Sequence, residues 1–386
     1  MEEWKSIRLG DIVRIGSGLA YKADFLGSGD ALLLGMGCVS FTEKFLKKGA
    51  RPYSGNSEER YIVSPGDIVL ATRQQSDNLP ILGMPAIIPD DYQGTRLIAG
   101  SNLYIVHNHS DIDNRFLYWL LKTPEYINHI SSCKTGTTVR MITKKDVESF
   151  VFKCPPKNER ERIADFLWSI EEKIDLNLRI NHNLEEQAQA LYKSWFVDFE
   201  PFKDGKFVYS ELGLIPEGWR IGKISDIATV TSGKRPNVKY ESISDEHAIP
   251  VFGASSVMAF TDSVYLKERA IITGRVGTLG ILQRVDFPCW PSDNTLIIQS
   301  PYENFVYQEL AEVDYSSLNR GSTQPLLTQS DLKSWSIIIP PKEIIAEYES
   351  LIRDNTDLIA EHCVQNQRLS LLRDTLLPQL MSGQLT

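Results

Sequence analysis

The sequence predicts a mixed α/β (α+β) protein in which two similar globular domains are joined by two long helices. The helices are expected to form an antiparallel coiled coil, and the internal repeat predicts a pseudo-two-fold relation between the halves. Three observations carry this prediction: one segment occurs twice, short apolar runs alternate with turn residues in each copy, and a long helical periodicity follows each copy. A chain of 386 residues is long enough for two domains with separate cores.

The clearest repeat lies at the end of each copy. The segment "KTGTTVRMITKKDVESFVFKCPPK", from Lys134 to Lys157, returns without a gap as "NRGSTQPLLTQSDLKSWSIIIPPK", from Asn319 to Lys342. At the front, "WKSIRLGDIVRIGSG" (residues 4–18) matches "WRIGKISDIATVTSG" (residues 219–233). Matches in the same order at both ends of each copy indicate an internal duplication.

Two apolar runs between these ends also match. The run "DIVLATR", which ends at Arg73, resembles "RAIITGR", which ends at Arg275, and "SNLYIV" around Asn102 resembles "DNTLII" around Asn294. Both pairs predict buried strands. The offset between the copies shrinks between these blocks, so the second copy is expected to have shorter surface loops.

One short helix is predicted near the end of each copy. Thr143 and Asp146 in the first copy, and Thr328 and Asp331 in the second, have the spacing of a capping box at a helix start. An apolar strand and a Pro-Pro stop follow in each case. Each copy is therefore predicted to be a mixed α/β domain.

A long helix is predicted after each Pro-Pro, because apolar residues recur there every three or four positions. The apolar positions of the two stretches are Ile163, Leu167, Ile170, Ile174, Leu178, Leu184, Ala188, Leu191 and Trp195, and Leu351, Ile352, Ile359, Cys363, Leu369, Leu372 and Leu376. Asn181 and Asn366 correspond and fall near the stripes, where a buried Asn fixes register. The alternative is that each helix packs only on its own domain.

The predicted boundaries follow from these patterns. A first globular domain covers residues 1–157 and a first helix residues 158–200. A linker with the second globular domain covers residues 201–341, and the second helix residues 342–386.

The net charge of −9 is concentrated in the helices. Residues 159–205 carry six basic and eleven acidic side chains, and residues 343–386 carry three and seven. The remaining chain is neutral, so charge neither proves nor excludes DNA binding. The five cysteines are far apart, and neither a signal peptide nor a membrane span is recognisable, so a cytoplasmic protein that does not enter membranes is expected.

No catalytic or metal site is predicted. The glycines of "GRVGTLG" (residues 274–280) lack the strand and helix of a dinucleotide site, and GxxxxGK[ST], HExxH and GxSxG are absent from the sequence. His107 and His109 flank Asn108 in a segment that matches none of these motifs. We therefore expect this chain to be a binding protein and not an enzyme.

Polar residues at corresponding loop positions of the two copies are suited to DNA. Arg binds guanine through two hydrogen bonds, Gln and Asn bind adenine, and Lys, Ser and Thr hold phosphates. The candidates are Tyr21, Lys22, Arg73, Gln74, Gln75, Lys134, Thr137, Arg140, Lys234, Arg235, Arg275, Arg320, Ser322, Thr323 and Gln324. For each one alone, an ordinary surface or turn role is at least an equal alternative.

Over essentially its whole length the chain resembles the specificity (S) subunit of type I restriction-modification systems. The passages that carry the resemblance are "LEEQAQALYKSWFVDFEPF" (184–202), "IPEGW" (215–219), "SGKRP" (232–236), "GRVGTLG", "WPSDNTLII" (290–298), "GSTQPLLTQSDLK" (321–333) and "LLRDTLLPQLMSGQL" (371–385). The resemblance implies two target-recognition domains, each reading one half of a split target in double-stranded DNA. It also implies that the coiled coil sets the spacer between the halves.

The resemblance further implies partners. DNA-methyltransferase (M) subunits would dock on the helices and restriction (R) subunits would join them, so S-adenosylmethionine, ATP and magnesium would belong to those partners and no cofactor to this chain. The segments "ALYKSWF" (190–196) and "DTLLPQL" (374–380) are candidates for apolar contacts with the methyltransferase, although packing of the coil also accounts for them.

Two other classes of protein stay open from the sequence. The first is a nuclease or methyltransferase that acts alone, which would turn over DNA without partners. The second is a coiled-coil scaffold whose globular ends bind a protein, a sugar or another ligand, and such a scaffold would show no salt-dependent affinity for DNA.

Overall fold

The computed structural model describes residues 4–74, 80–241, 243–244, 246–321 and 323–385. The chain divides into two compact units, the first formed by residues 1–175 and 367–386 and the second by residues 176–366. Each unit therefore holds one globular copy and a part of both long helices. We call residues 4–156 the first head and residues 207–341 the second head.

The described residues of the first head form short strands and three short α-helices. In chain order the strands are β1 (Lys5–Arg8), β2 (Val13–Ser17), β3 (Leu26–Leu34), β4 (Ala50–Tyr53), β5 (Ile62–Val63), β6 (Ile68–Ala71), β7 (Arg73–Gln74), β8 (Pro85–Ile87), β9 (Leu97–Ala99), β10 (Leu103–Asn108), β11 (Arg140–Met141) and β12 (Val151–Cys154), and the helices are α1 (Asn114–Leu120), α2 (Pro124–Cys133) and α3 (Lys144–Glu148).

Two four-stranded sheets form the first head, in the orders β2-β10-β6-β8 and β4-β3-β9-β5, and β1 pairs with β12. Strand β6 is buried on both faces. Ile68 and Leu70 pack with the helices, whereas Val69 and Ala71 pack with the second sheet. This double burial explains why the strand is a continuous apolar run.

The first long helix, α4 (Lys157–Tyr192), runs from the first unit into the second and ends in a π-helical turn (Lys193–Val197). The second head then contributes β13 (Phe207–Ser210), β14 (Gly213–Pro216), β15 (Arg220–Lys223), β16 (Thr229–Ser232), β17 (Ile249–Phe252), β18 (Val257–Thr261), β19 (Ala270–Gly274), β20 (Leu282–Val285), β21 (Trp290–Pro291), β22 (Thr295–Gln299) and β23 (Ser336–Ile339), with helices α5 (Glu303–Ala311) and α6 (Gln329–Lys333). The second long helix is α7 (Lys342–Ser382).

The sheet topology confirms the duplication. The order β16-β22-β19-β20 repeats β2-β10-β6-β8, and the order β18-β17-β21 repeats β4-β3-β9. The pairing of Lys5 with Cys154 in the first head has its counterpart in the pairing of Arg220 with Ile339 in the second. The expected mixed α/β fold with two repeated domains is therefore confirmed.

The predicted alignment of Arg73 with Arg275 is wrong by one residue. Asn102 and Asn294 correspond, and their carbonyls accept from the backbone N–H of Thr72 (3.1 Å) and of Arg275 (2.8 Å), respectively. Arg275 is thus the counterpart of Thr72. The apolar pattern did not fix this register, because β6 and β19 are buried on both faces and a slip by one residue leaves the pattern unchanged.

The predicted short helices are confirmed as α3 and α6. The Thr143 hydroxyl accepts from the Asp146 N–H, and the Thr328 hydroxyl accepts from the Asp331 N–H. The expectation of one short helix per head is wrong, however, because α1, α2 and α5 are also helical. Residues Phe116–Leu120 of α1 are all buried, and an apolar run without polar positions does not distinguish a helix from a strand.

The two long helices pair antiparallel in each unit, as predicted. In the second unit Asn177 donates to Oδ1 of Asn366 (2.8 Å), and Nδ1 of His362 donates to Oδ1 of Asn181 (2.7 Å). Each helix end also enters a domain core, as Leu377 does in the first unit.

The predicted apolar stripe of the long helices is wrong at the positions where the interface between them is polar. Leu178, Leu351 and Leu372 are exposed, whereas Asn177 and Arg373 are buried. An alternation of three and four residues continues from Ile174 to Asn177 and Asn181, so the polar residues occupy the interface positions of the heptad. A search for apolar residues alone selects the neighbouring leucines instead.

The second unit contains a buried carboxyl group, that of Glu309. It accepts a hydrogen bond from the Tyr192 hydroxyl (2.7 Å), and burial raises the pKa of Glu309 to about 7. Because the folded-state pKa lies above the usual value of 4.5, this group's stabilising contribution is complete below about pH 4.5 and is lost as the pH rises through about 7.

We therefore expect the free energy of unfolding to fall between pH 5 and pH 8 by up to about 3 kcal/mol through this group. Urea denaturation of the wild-type chain and of Glu309→Gln at both pH values measures the effect. The glutamine keeps an acceptor for Tyr192 but does not titrate, so its pH dependence should be smaller. Equal dependence in both proteins would contradict the prediction.

All five cysteines are free thiols. Within the described ranges, no helix is long and apolar enough to cross a membrane.

Candidate nucleic-acid interface

The first head brings several predicted DNA contacts together at one edge. Strands β7 and β11 are antiparallel, with Arg140 opposite Gln74 and Met141 opposite Arg73. Lys134 follows the end of α2, directly before the turn that leads into β11. The turn itself holds Thr137. The chain therefore places Arg73, Lys134, Thr137 and Arg140 on one hairpin-like patch, although 67 residues separate Arg73 from Arg140 in the sequence.

These side chains differ in their exposure and in the hydrogen bonds that they already form within the head. Arg73 is exposed and Arg140 is half-buried, with Nη1 of Arg140 donating to the Gly136 carbonyl. In the described part of the chain, neither arginine forms an ion pair. Gln74 is buried and its Oε1 accepts from the Leu82 N–H (3.3 Å), so this oxygen is used inside the head. Gln75 lies outside the described residues.

Tyr21 and Lys22 follow β2 in the first head. A Cβ atom on Gly100 would lie 3.5 Å from Cε1 of Tyr21, so the ring lies against this glycine. Two residues later, the Asn102 carbonyl accepts from both the N–H and the hydroxyl of Thr72, the residue before Arg73. Lys22 is exposed. The two segments are thus connected through residues 100–102.

In the second head, Lys234 and Arg235 are exposed directly after β16 and Gly233. The Lys234 N–H donates to the Pro291 carbonyl, and Nε1 of Trp290 donates to the Lys234 carbonyl (2.7 Å). The Lys234 ammonium lies 5.3 Å from the centre of the Tyr265 ring. These contacts fix the backbone of the loop. The exposed side chains of Lys234 and Arg235 extend from it.

The loop at residues 319–327 packs beside Arg275. The Leu327 N–H donates to the Arg275 carbonyl (2.8 Å), and the Gly277 N–H donates to the Pro325 carbonyl (2.9 Å). This contact brings the exposed Thr323 and Gln324 to the strand end that carries Arg275. Ser322 lies outside the described residues. The arrangement repeats that of β7 and β11 in the first head.

Arg320 has a partner within the second head. Its Nη2 and Nε donate to Oδ1 of Asp331 at 2.8 and 3.2 Å, while Oδ2 of Asp331 accepts from the Thr328 hydroxyl (2.6 Å). The hydrogen bonds from Arg320 and Thr328 lower the pKa of Asp331. The sequence identified Asp331 only as a helix cap, so its role in holding the loop was missed.

Arg275 is half-buried, in keeping with its correspondence to the buried Thr72. Its Nε is enclosed and has no hydrogen-bond partner within the described part of the chain. A guanidinium group held in this way is costly unless a further ligand satisfies it.

The described residues contain no group of three or more His, Cys, Asp or Glu side chains that could hold a metal ion. The polar patches of the two heads consist of cations, hydroxyls and amides on loops that are held by hydrogen bonds. Groups of this kind are suited to contacts with an anionic polymer.

Comparison with known proteins identifies the family and the fold. The sequence model of the "Type I restriction modification DNA specificity domain" matches residues 1–186 and 216–361. The chain is 32% identical over 304 residues to the type I restriction enzyme MjaIX specificity subunit of Methanocaldococcus jannaschii, covering 70% of this chain and 69% of the relative. It is 24% identical over 476 residues to the HindI specificity subunit of Haemophilus influenzae, covering all of both chains.

The fold is also that of a solved protein. The crystal structure of the type I restriction-modification system S subunit from M. genitalium superposes with a TM-score of 0.58 at 13% identity, over 98% of this chain and 96% of that one. With two family matches that follow the internal repeat, the chain belongs to the type I restriction-modification DNA specificity family.

Proposed function

We propose that this chain is the DNA sequence-recognition subunit of a type I restriction-modification complex. Each head reads one half of a bipartite target in double-stranded DNA, and the helix pair sets the unread spacer. The observation that carries the proposal is that one scaffold, present twice, displays different polar residues at equivalent loops. The segment 134–141 reads "KTGTTVRM" where 319–326 reads "NRGSTQPL". A shared framework with different reading residues suits an asymmetric target.

The chain acts without catalysis of its own. Methyltransferase (M) subunits dock on it and restriction (R) subunits join the assembly, and these partners supply S-adenosylmethionine, ATP and magnesium chemistry. Since the substrate is cellular DNA, we assign the complex to the cytoplasm.

The two segments proposed for methyltransferase contact differ in their surroundings. Tyr192 and Phe196 of "ALYKSWF" are buried in the core of the second unit. By contrast, Leu376 and Leu380 of "DTLLPQL" line an open groove in the first unit with the exposed Phe166. We therefore retain only "DTLLPQL" as a docking candidate.

Methylation mapping tests the proposal. Genomic DNA from cells that express this chain with its methyltransferase is compared with DNA from cells that lack this chain. A split adenine-methylation motif that depends on the chain is expected. Its absence, with a soluble and expressed methyltransferase, would overturn the proposal. Methylation or cleavage by the purified chain alone would contradict the non-catalytic assignment.

Arg320 provides a prediction about the second head. We expect Arg320→Ala to weaken binding to the second half-site roughly tenfold, because the loop at 319–327 loses its bond to Asp331. Asp331→Asn should weaken binding similarly, since it removes the charge that holds Arg320. Titration of duplex DNA at two salt concentrations measures both variants. If Arg320 contacts phosphate directly, only Arg320→Ala will weaken binding, and its salt dependence will fall by about one ion.

A further inference from the structure

Three aromatic rings form a cluster at the rim of the first head. Tyr21 and Phe25 are 36% and 41% exposed, and both contact the buried Tyr53. Their ring centres lie 6.5 and 6.2 Å from that of Tyr53, at interplanar angles of 81° and 79°. One buried ring thus supports two exposed ones.

The backbone around the cluster is fixed. The Ser54 N–H donates to the Phe25 carbonyl (3.0 Å), which also accepts from the Ser54 hydroxyl. Strand β3 bulges between Leu26 and Ala31 so that both residues lie opposite Tyr53. Gly29 in the bulge has φ +100°, and a Cβ there would lie 2.5 Å from the Tyr53 carbonyl oxygen. The exposed rings are therefore preorganised.

The cluster continues the proposed DNA interface. Tyr21 lies against Gly100. Two residues after Gly100, the Asn102 carbonyl accepts a hydrogen bond from the N–H of Thr72, the residue before Arg73. Lys22 stands between the two exposed rings in sequence and is itself exposed. In the described part of the chain, neither Lys22 nor Arg73 forms an ion pair. Aromatic rings interleaved with free cations are typical of surfaces that bind both bases and phosphates.

Among the described residues of the second head, the counterpart of Tyr21 is not aromatic. The backbone bonds of Gly18 to Leu103 and of Gly233 to Thr295 align the two heads, which puts Pro236 at the position of Tyr21. The aromatic pair is therefore a feature of one reading head. It is not part of the shared framework that both heads need for folding.

We propose that Tyr21 and Phe25 form a stacking site for a nucleobase, or an opened base step, of the first half-site. This inference rests on the proposed function. The rings insert beside bases while Lys22 and Arg73 hold the neighbouring phosphates, and the cost of unstacking is offset by base–aromatic contact. Because base steps differ in how readily they open, the site would also contribute specificity without hydrogen bonds to base edges.

The test uses the full chain assembled with its methyltransferase subunits, on a duplex that carries the mapped motif. The fluorescent base 2-aminopurine replaces, one at a time, each purine of the first half-site except the methylated adenine. The variants are Tyr21→Leu, Phe25→Leu and Tyr21→Phe, with Tyr209→Leu as the matched control. Tyr209 is an exposed ring in the second unit.

We expect one position to brighten on binding to the wild-type complex, to Tyr21→Phe and to Tyr209→Leu. Tyr21→Leu and Phe25→Leu should lose the signal and bind about 5- to 100-fold more weakly, which is the range for loss of one stacked base. Unchanged affinity with no brightening at any position would overturn the inference. If the leucine variants instead fail to co-purify with the methyltransferase, the rings contact protein, and the inference is equally overturned.

Failure of the stacking site and failure of the proposed function are distinguishable. If the wild-type complex yields no split motif, the proposed function fails before any variant is measured. If the motif persists and only the fluorescence and affinity results are negative, the stacking site alone is wrong.

Discussion

Replacing Arg373 by alanine should lower the free energy of unfolding by about 3 to 5 kcal/mol. Arg373 is 7% exposed and its Nη1 donates to the carboxylate of Glu171, which is 3% exposed. The truncation leaves the Glu171 charge buried without its partner inside the helix pair of the first unit. Urea denaturation followed by circular dichroism at neutral pH measures the change.

Two further variants make this result specific. The double variant Glu171→Leu, Arg373→Leu should be close to wild type or more stable, because an apolar pair avoids the desolvation of two charges. Arg353→Ala, on an exposed position of the same helix, should change the free energy of unfolding by less than about 0.5 kcal/mol. A loss for Arg373→Ala no larger than for Arg353→Ala would contradict the prediction.

The ion pair has no counterpart in the repeat. With the offset that joins Asn181 to Asn366, Arg373 corresponds to Ala188 and Glu171 to Thr356. The two helices are therefore similar in sequence, but they contribute different residues to the interface between them. Pairing of α4 with a second α4 would leave Glu171 without a cation.

Arg73→Ala and Arg275→Ala should impair different half-sites. Each substitution should weaken binding of the assembled complex by about 10- to 100-fold, the range for one good arginine–base contact. Arg73 lies at the β7–β11 edge of the first head, and Arg275 lies beside the loop 319–327 of the second. Because the heads are separate scaffolds, specificity should relax in only one half of the motif for each variant.

Competition binding with duplexes altered in one half-site measures this selectivity. Arg60→Ala serves as a control, since Arg60 is exposed and already paired with Glu58 in the first head. A uniform loss of affinity for all sequences, with a salt dependence reduced by about one ion, would identify a phosphate contact. Loss of specificity in the same half-site for both arginine variants would contradict the assignment of one head to each half.

The sequence by itself determined the duplication, the mixed α/β heads and the long antiparallel helices. Each of these depends on periodicity or on residues that recur at a fixed spacing, such as Thr143 with Asp146. Patterns of this kind follow from local backbone geometry and can be read along the chain. The sequence favoured pairing of the helices, because neither long stripe can be buried by one helix alone, but it left packing of each helix on its own domain as the alternative.

Only the tertiary structure decided the strand register, the residues of the helix interface and the exposure of each polar side chain. The register of β6 and β19 was hidden by burial on both faces, so Arg275 matches Thr72 and not Arg73. The polar residues of the helix interface, such as Asn177, are recognisable only through their partners across the pair. Whether a polar side chain faces solvent or is used inside a head depends on contacts between segments distant in sequence, and such contacts are fixed only when the chain has folded.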